Sequence, residues 1–128
     1  MRHVVTGDDE RAVLVGEADS GAAALVVVDE QRADAVVLDV RMPLAEGLRT
    51  IASLREHHPR LGIVVCSFDL DAATVQRVLD HGADAFLAKP VRRTDLYLAL
   101  ERLSSGDRGG EDPLGPAPAP PSAVTATL

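Results

Sequence analysis

Three apolar runs in this chain each end in a reactive side chain. Ala35-Val36-Val37-Leu38 closes on Asp39, Ile63-Val64-Val65-Cys66 closes on Ser67, and Asp84-Ala85-Phe86-Leu87-Ala88 closes on Lys89. Runs of this length suit strands buried on both faces of a parallel sheet, and ligands of open α/β sheets bind beyond the carboxyl ends of such strands. A carboxylate, a hydroxyl and an ammonium then converge on one sheet edge, where Asp39 is placed for chemistry. Pro43, soon after Asp39, blocks continuation of its strand, and Pro90 after Lys89 admits a cis peptide that aims the ammonium inward.

The elements that must position these residues alternate along the chain. Strands are expected near 12–17, 35–40, 62–66 and 84–88, and helices near 20–32, 46–58, 71–81 and 93–103, the pattern of a βα-built parallel sheet. Leu96, Leu100 and Leu103 fall at i, i+4 and i+7 of the last helix, a stripe that packs on a sheet. Gly82 after His81 is a natural helix-ending residue. His57-His58 closes a helix, where positive charge is favourable, and is read that way in preference to a metal ligand.

In order and spacing, Asp39, Ser67 and Lys89 resemble the receiver domain of two-component response regulators. Val15-Gly16-Glu17-Ala18, Leu38-Asp39-Val40-Arg41-Met42-Pro43 and Gly82-Ala83-Asp84-Ala85-Phe86-Leu87-Ala88-Lys89-Pro90 all look like receivers attached to helix-turn-helix output domains. The resemblance implies an α/β, flavodoxin-like parallel sheet with flanking helices. It also decides the ambiguous Val26-Val27-Val28 for helix, together with the Asp19-Ser20 cap signal. Asp39 would be the phospho-acceptor, Ser67 and Lys89 would contact the phosphoryl group, and Ser67 and Phe86 would be switch residues. Phosphoryl transfer to an anionic carboxylate needs positive charge. By resemblance Mg²⁺ supplies it, held by Asp9, Asp39 and the backbone carbonyl of Arg41, with Asp8 supporting through water. The implied partner is a sensor histidine kinase. Phe68 stands where receivers often have a small residue and would narrow access to Asp39.

The amino terminus departs from the pattern. Val4-Val5-Thr6-Gly7-Asp8-Asp9-Glu10 looks like a receiver's first strand and acidic pair, yet Arg11-Ala12-Val13-Leu14-Val15 follows at once and the first helix is missing. Parallel neighbours need roughly a dozen connecting residues. Three arrangements of residues 1–11 stay open: an antiparallel hairpin turning at Gly7-Asp8-Asp9-Glu10, exchange of the first strand with a second chain, or disorder. The hairpin would carry Asp8 and Asp9 to the edge opposite Asp39, and Mg²⁺ affinity would fall. Phosphorelay signalling through Asp39 then has a rival, a pseudo-receiver that works by protein association without phosphate.

Composition narrows the classes further. The formal charge of −7, from 13 basic and 20 acidic residues, disfavours nucleic-acid binding by this chain. One cysteine, Cys66, permits no internal disulfide. The longest wholly apolar run, Ala22 to Val28, is too short for a bilayer, so no membrane role and a cytoplasmic setting are expected. No phosphate-binding glycine loop, zinc spacing or nucleophile elbow is present, and Arg41 sits where haloacid-dehalogenase-like phosphatases need a second aspartate. No enzyme is expected.

The domain is therefore placed at 1–103, with 1–11 rearranged, and the Gly/Pro-rich stretch 104–128 is expected to be a disordered tail. Loss of the first helix would leave sheet side chains and a flank of the last helix uncovered. A homodimer, a larger assembly or another protein partner burying Leu96, Leu100 and Leu103 is the expected remedy.

Overall fold

The computed structural model describes residues 13–40, 44–68, 71–104 and 122–127. Five parallel strands form one sheet in the order β1-β5-β2-β3-β4. They are β1 (Val13–Ala18), β2 (Ala35–Asp39), β3 (Gly62–Ser67), β4 (Ala85–Ala88) and β5 (Ser122–Thr127), and the helices are α1 (Gly21–Gln31), α2 (Leu44–His57), α3 (Ala72–Asp80) and α4 (Arg93–Ser104). This is the parallel sheet expected from the alternating runs, in the flavodoxin-like layering that the receiver resemblance implied.

Local signals explain the boundaries. Ser20 caps α1, its Oγ accepting from Ala23 N at 3.1 Å, and Asp71 caps α3 by accepting from Thr74 N at 3.3 Å. Each cap satisfies an amide that the helix itself cannot. The Val26-Val27-Val28 run is helical, as the receiver resemblance and the cap signal implied. Gly82 follows α3 at φ +124°, a conformation that side chains disfavour. Gly16 is required for a different reason: a Cβ there would run into Val27 Cγ1, so its absence lets α1 lie against β1.

Two apolar clusters cover the two sheet faces. Val28 of α1, Ile51 and Leu54 of α2 and Val78 of α3 pack with Val36, Leu38, Ile63 and Val65. Leu96, Tyr97 and Leu100 of α4 pack with Ala35, Val37, Val64 and Cys66 on the other. All five residues of β2 and all six of β3 are buried, which accounts for their unbroken apolar runs.

The carboxy-terminal expectation is corrected here. Residues 122–127 are no disordered tail but the strand between β1 and β2. Without it, β1 and β2 would face each other across a gap with unpaired backbone groups, a costly state for buried amides. Small, alternating side chains fit that gap. Ala123 joins the α4 cluster while Val124 and Ala126 join the opposite one. Asp34 anchors the entry: its Oδ2 accepts from Ser122 N at 2.8 Å, and its own N donates to Ser122 O at 2.8 Å.

The dimer face is corrected for the same reason. Leu96 and Leu100 are 0% and 1% exposed within a single chain, because β5 completes the sheet beneath α4. Leu103 is half-buried at the edge of that cluster. Leu96 and Leu100 offer no free surface to a second copy. Among the described residues no helix is long and apolar enough to cross a membrane.

Candidate functional site

Asp39, Ser67 and Lys89 come together at the carboxyl edge of the sheet. Asp39 is the last residue of β2, Ser67 the last of β3, and Lys89 directly follows β4. The edge is laced by backbone bonds: Val40 N donates to Cys66 O, and Lys89 N donates to Ser67 O, both at 2.9 Å. The Lys89–Pro90 peptide is cis.

Asp39 is 3% exposed, and its Oδ1 faces the Lys89 ammonium in an ion pair. No hydrogen bond reaches that oxygen among the described residues. A buried carboxylate is costly unless compensated, and here one ammonium provides the compensation. Ser67 is buried at the same edge. Cys66, in register with Asp39, has its thiol pushed up to about 12, first by burial, then by the Asp39 charge, with Lys89 opposing. It is a protonated packing group.

Phe68, expected to narrow access to Asp39, follows Ser67 at the end of β3. It is 73% exposed, and its ring lies beside Lys89, with Nζ 5.2 Å from the ring centroid. That distance is within cation–π range. Phe86 lies in β4, partly buried against the cluster beneath α1, α2 and α3. Asp8, Asp9 and Arg41 lie outside the described residues.

The slot beside Asp39 holds what sequence reasoning missed. In register, Asp39 is opposite Thr127 of β5. The signal was present as a repeat: Val124-Thr125-Ala126-Thr127 follows the residue pattern of Val5-Thr6-Gly7-Asp8, with no acid at its end. The strand paired with β2 therefore brings no acid opposite Asp39, and no group of three or more His, Cys, Asp or Glu suited to a metal occurs among the described residues. An oxygen without a hydrogen bond suits a hard cation, but one carboxylate facing an ammonium is not an oxygen cage. The described residues do not make a Mg²⁺ site.

A cavity of about 930 Å³ opens at the opposite rim, where strands begin, lined by Asp34, Arg55, His57, His58 and Leu103 among others. Arg55 there is committed to structure, donating to Gly82 O and pairing with Asp84 at 2.7 Å. The cavity is remote from the reactive edge.

The profile of the response regulator receiver domain matches residues 2–101. The nitrate/nitrite response regulator protein NarL of Escherichia coli K12 is 34% identical over 94 residues, which are 73% of this chain and 44% of that protein. The positive alginate biosynthesis regulatory protein of Pseudomonas aeruginosa is 36% identical over 104 residues, 78% of this chain and 40% of that protein. This chain thus spans less than half the length of either relative. The signal receiver domain of NarL from Mycobacterium tuberculosis superposes with a TM-score of 0.63 at 34% identity, over 72% of this chain and 75% of that one.

Proposed function

The chain belongs to the response regulator receiver domain family, and from that membership we propose that it accepts a phosphoryl group on Asp39 from a sensor histidine kinase. The observation that carries this reading is the buried Asp39–Lys89 pair with Ser67 at the same edge. An Asp39 oxygen attacks phosphorus, the phosphorus–nitrogen bond of the donor histidine breaks, and an acyl phosphate forms as the imidazole leaves. Lys89 carries the charge that offsets the phosphoryl oxygens, and the Ser67 hydroxyl donates to one of them. The chain itself is a signalling module in this reading, not an enzyme, and works in the cytoplasm without binding nucleic acid.

A second reading has its own observation. The strand beside Asp39 ends without a carboxylate, which favours a pseudo-receiver acting through protein association. Incubation with acetyl phosphate and Mg²⁺, followed by intact mass, separates the two. One added phosphoryl group that Asp39→Asn abolishes supports phospho-acceptance. No adduct supports the pseudo-receiver, and an adduct surviving Asp39→Asn removes Asp39 from the reaction.

A further inference from the structure

The end of β3 sets an exposed aromatic ring at the reactive edge. In the register of β3 on β4, Ser67 pairs with Ala88, so the residues that follow, Phe68 and Lys89, stand side by side just beyond the two strands. Lys89 N donates to Ser67 O at 2.9 Å, which ties the two backbones together there. The Lys89 ammonium lies over the Phe68 ring, 5.2 Å from its centroid. Phe68 is also the most exposed of the large apolar side chains among the described residues. Core packing therefore does not account for its position, and the cation beside it does.

Lys89 has two attractive neighbours of different kinds. One is the buried Asp39 carboxylate, with which it forms an ion pair, and the other is the negative face of an aromatic ring, which attracts a cation within about 6 Å. A lysine ammonium is strongly hydrated and rides on a flexible four-carbon stem. At a sheet edge, an ion pair alone leaves that stem able to swing towards water. A ring over the ammonium replaces part of the water and narrows the arc. Charge that is fixed in place before the reaction stabilises developing negative charge without reorganisation.

We propose that Phe68 is a positioning residue for this site: its ring holds the Lys89 ammonium beside Asp39, ready for the oxygens of an incoming phosphoryl group. Phe68 itself touches no reacting atom and acts through Lys89. The inference rests on the reading of Asp39 as phospho-acceptor, and its first measurement uses no phosphate, so the two can fail separately. It also reverses the sign of the simpler expectation that a large side chain after Ser67 only obstructs the approach to Asp39.

Three variants of the full-length chain separate these readings. Phe68→Tyr keeps the ring, Phe68→Leu keeps an apolar side chain without a ring face, and Phe68→Ala removes both. Without phosphodonor, NMR should find the Lys89 ε-methylene protons shifted upfield by the ring current in the parent chain and in Phe68→Tyr, and unshifted in Phe68→Leu. With acetyl phosphate and Mg²⁺, the rate of phosphoryl uptake read by intact mass should fall about two- to fivefold in Phe68→Leu and Phe68→Ala, the size of one exposed cation–π contact, and return in Phe68→Tyr. Faster uptake in Phe68→Leu and Phe68→Ala would show a ring that obstructs, and would overturn the proposal. An unshifted Lys89 signal in the parent chain would overturn it as well. A parent chain that takes up no phosphoryl group defeats the phospho-acceptor reading alone, and the Lys89 signal then decides whether Phe68 holds the ammonium.

Discussion

Asp34 and Ser122, far apart in sequence, are joined by a reciprocal set of hydrogen bonds at the entry to the central strand. The Asp34 carboxylate accepts from Ser122 N at 2.8 Å and from Ser122 Oγ at 3.2 Å, while Asp34 N donates to Ser122 O at 2.8 Å. Asp84 does the corresponding work between β4 and β3, where its Oδ2 accepts from Ile63 N at 2.8 Å. An aspartate just before a strand thus sets the register of its neighbour twice in this sheet.

Removing the first of these anchors should loosen β5 selectively. Asp34→Ala is expected to cost about 0.5–1.5 kcal/mol, the usual net contribution of a hydrogen bond that water can replace. Hydrogen exchange should show the largest loss of protection in residues 122–127. A uniform loss across all strands would show that the anchor does not act on β5.

The Asp39–Lys89 pair yields a double-mutant test. Lys89→Met leaves the buried Asp39 carboxylate without its counter-charge and should cost about 3–5 kcal/mol in chemical denaturation. Adding Asp39→Asn should recover much of that loss, because the charge needing compensation is gone. Additive losses would show that the two groups are not coupled.

Leu100 reports on whether its helix face is a core or an interface. At 1% exposure, Leu100→Ala should destabilise the fold by about 2–5 kcal/mol. Its sedimentation coefficient without Mg²⁺ should match that of the parent chain. A stable variant with altered self-association would restore the leucine stripe as an interface.

Cys66 sets a pH dependence on the alkaline side. Its thiol pKa is raised from 9.0 to about 12, chiefly by burial, so folding favours the neutral thiol. The stabilisation is complete below the unfolded-state value and is lost as pH rises from about 9 towards 12. Urea midpoints across that range should fall more steeply for the parent chain than for Cys66→Ala. Parallel slopes would show that the thiol does not contribute.

Much of this fold was legible because its signals are local. The runs Ala35-Val36-Val37-Leu38 and Ile63-Val64-Val65-Cys66 could be read as buried strands, and Ser20 and the Gly82 turn marked helix ends. The order of Asp39, Ser67 and Lys89 made their shared edge readable too. β5 was not legible in that way. Ser122-Ala123-Val124-Thr125-Ala126-Thr127 is short, modestly apolar and preceded by a Pro-rich run, so its propensity alone does not make a strand. What makes it one is the pair of open backbone edges on β1 and β2, a tertiary demand that no local window contains. Overlooking that strand left Leu96 and Leu100 looking uncovered.

The placement of β5 also bears on how the chain is made. Its residues leave the ribosome after every other described element, yet they belong in the middle of the sheet. Until they arrive, β1 and β2 cannot be bridged, and the nascent chain carries two facing strand edges able to pair with other chains. Val13 waits for Ser122, so closure of the sheet is a non-local event, of the kind that slows folding. Biogenesis of this small domain is most exposed to misassembly just before synthesis of β5 is complete.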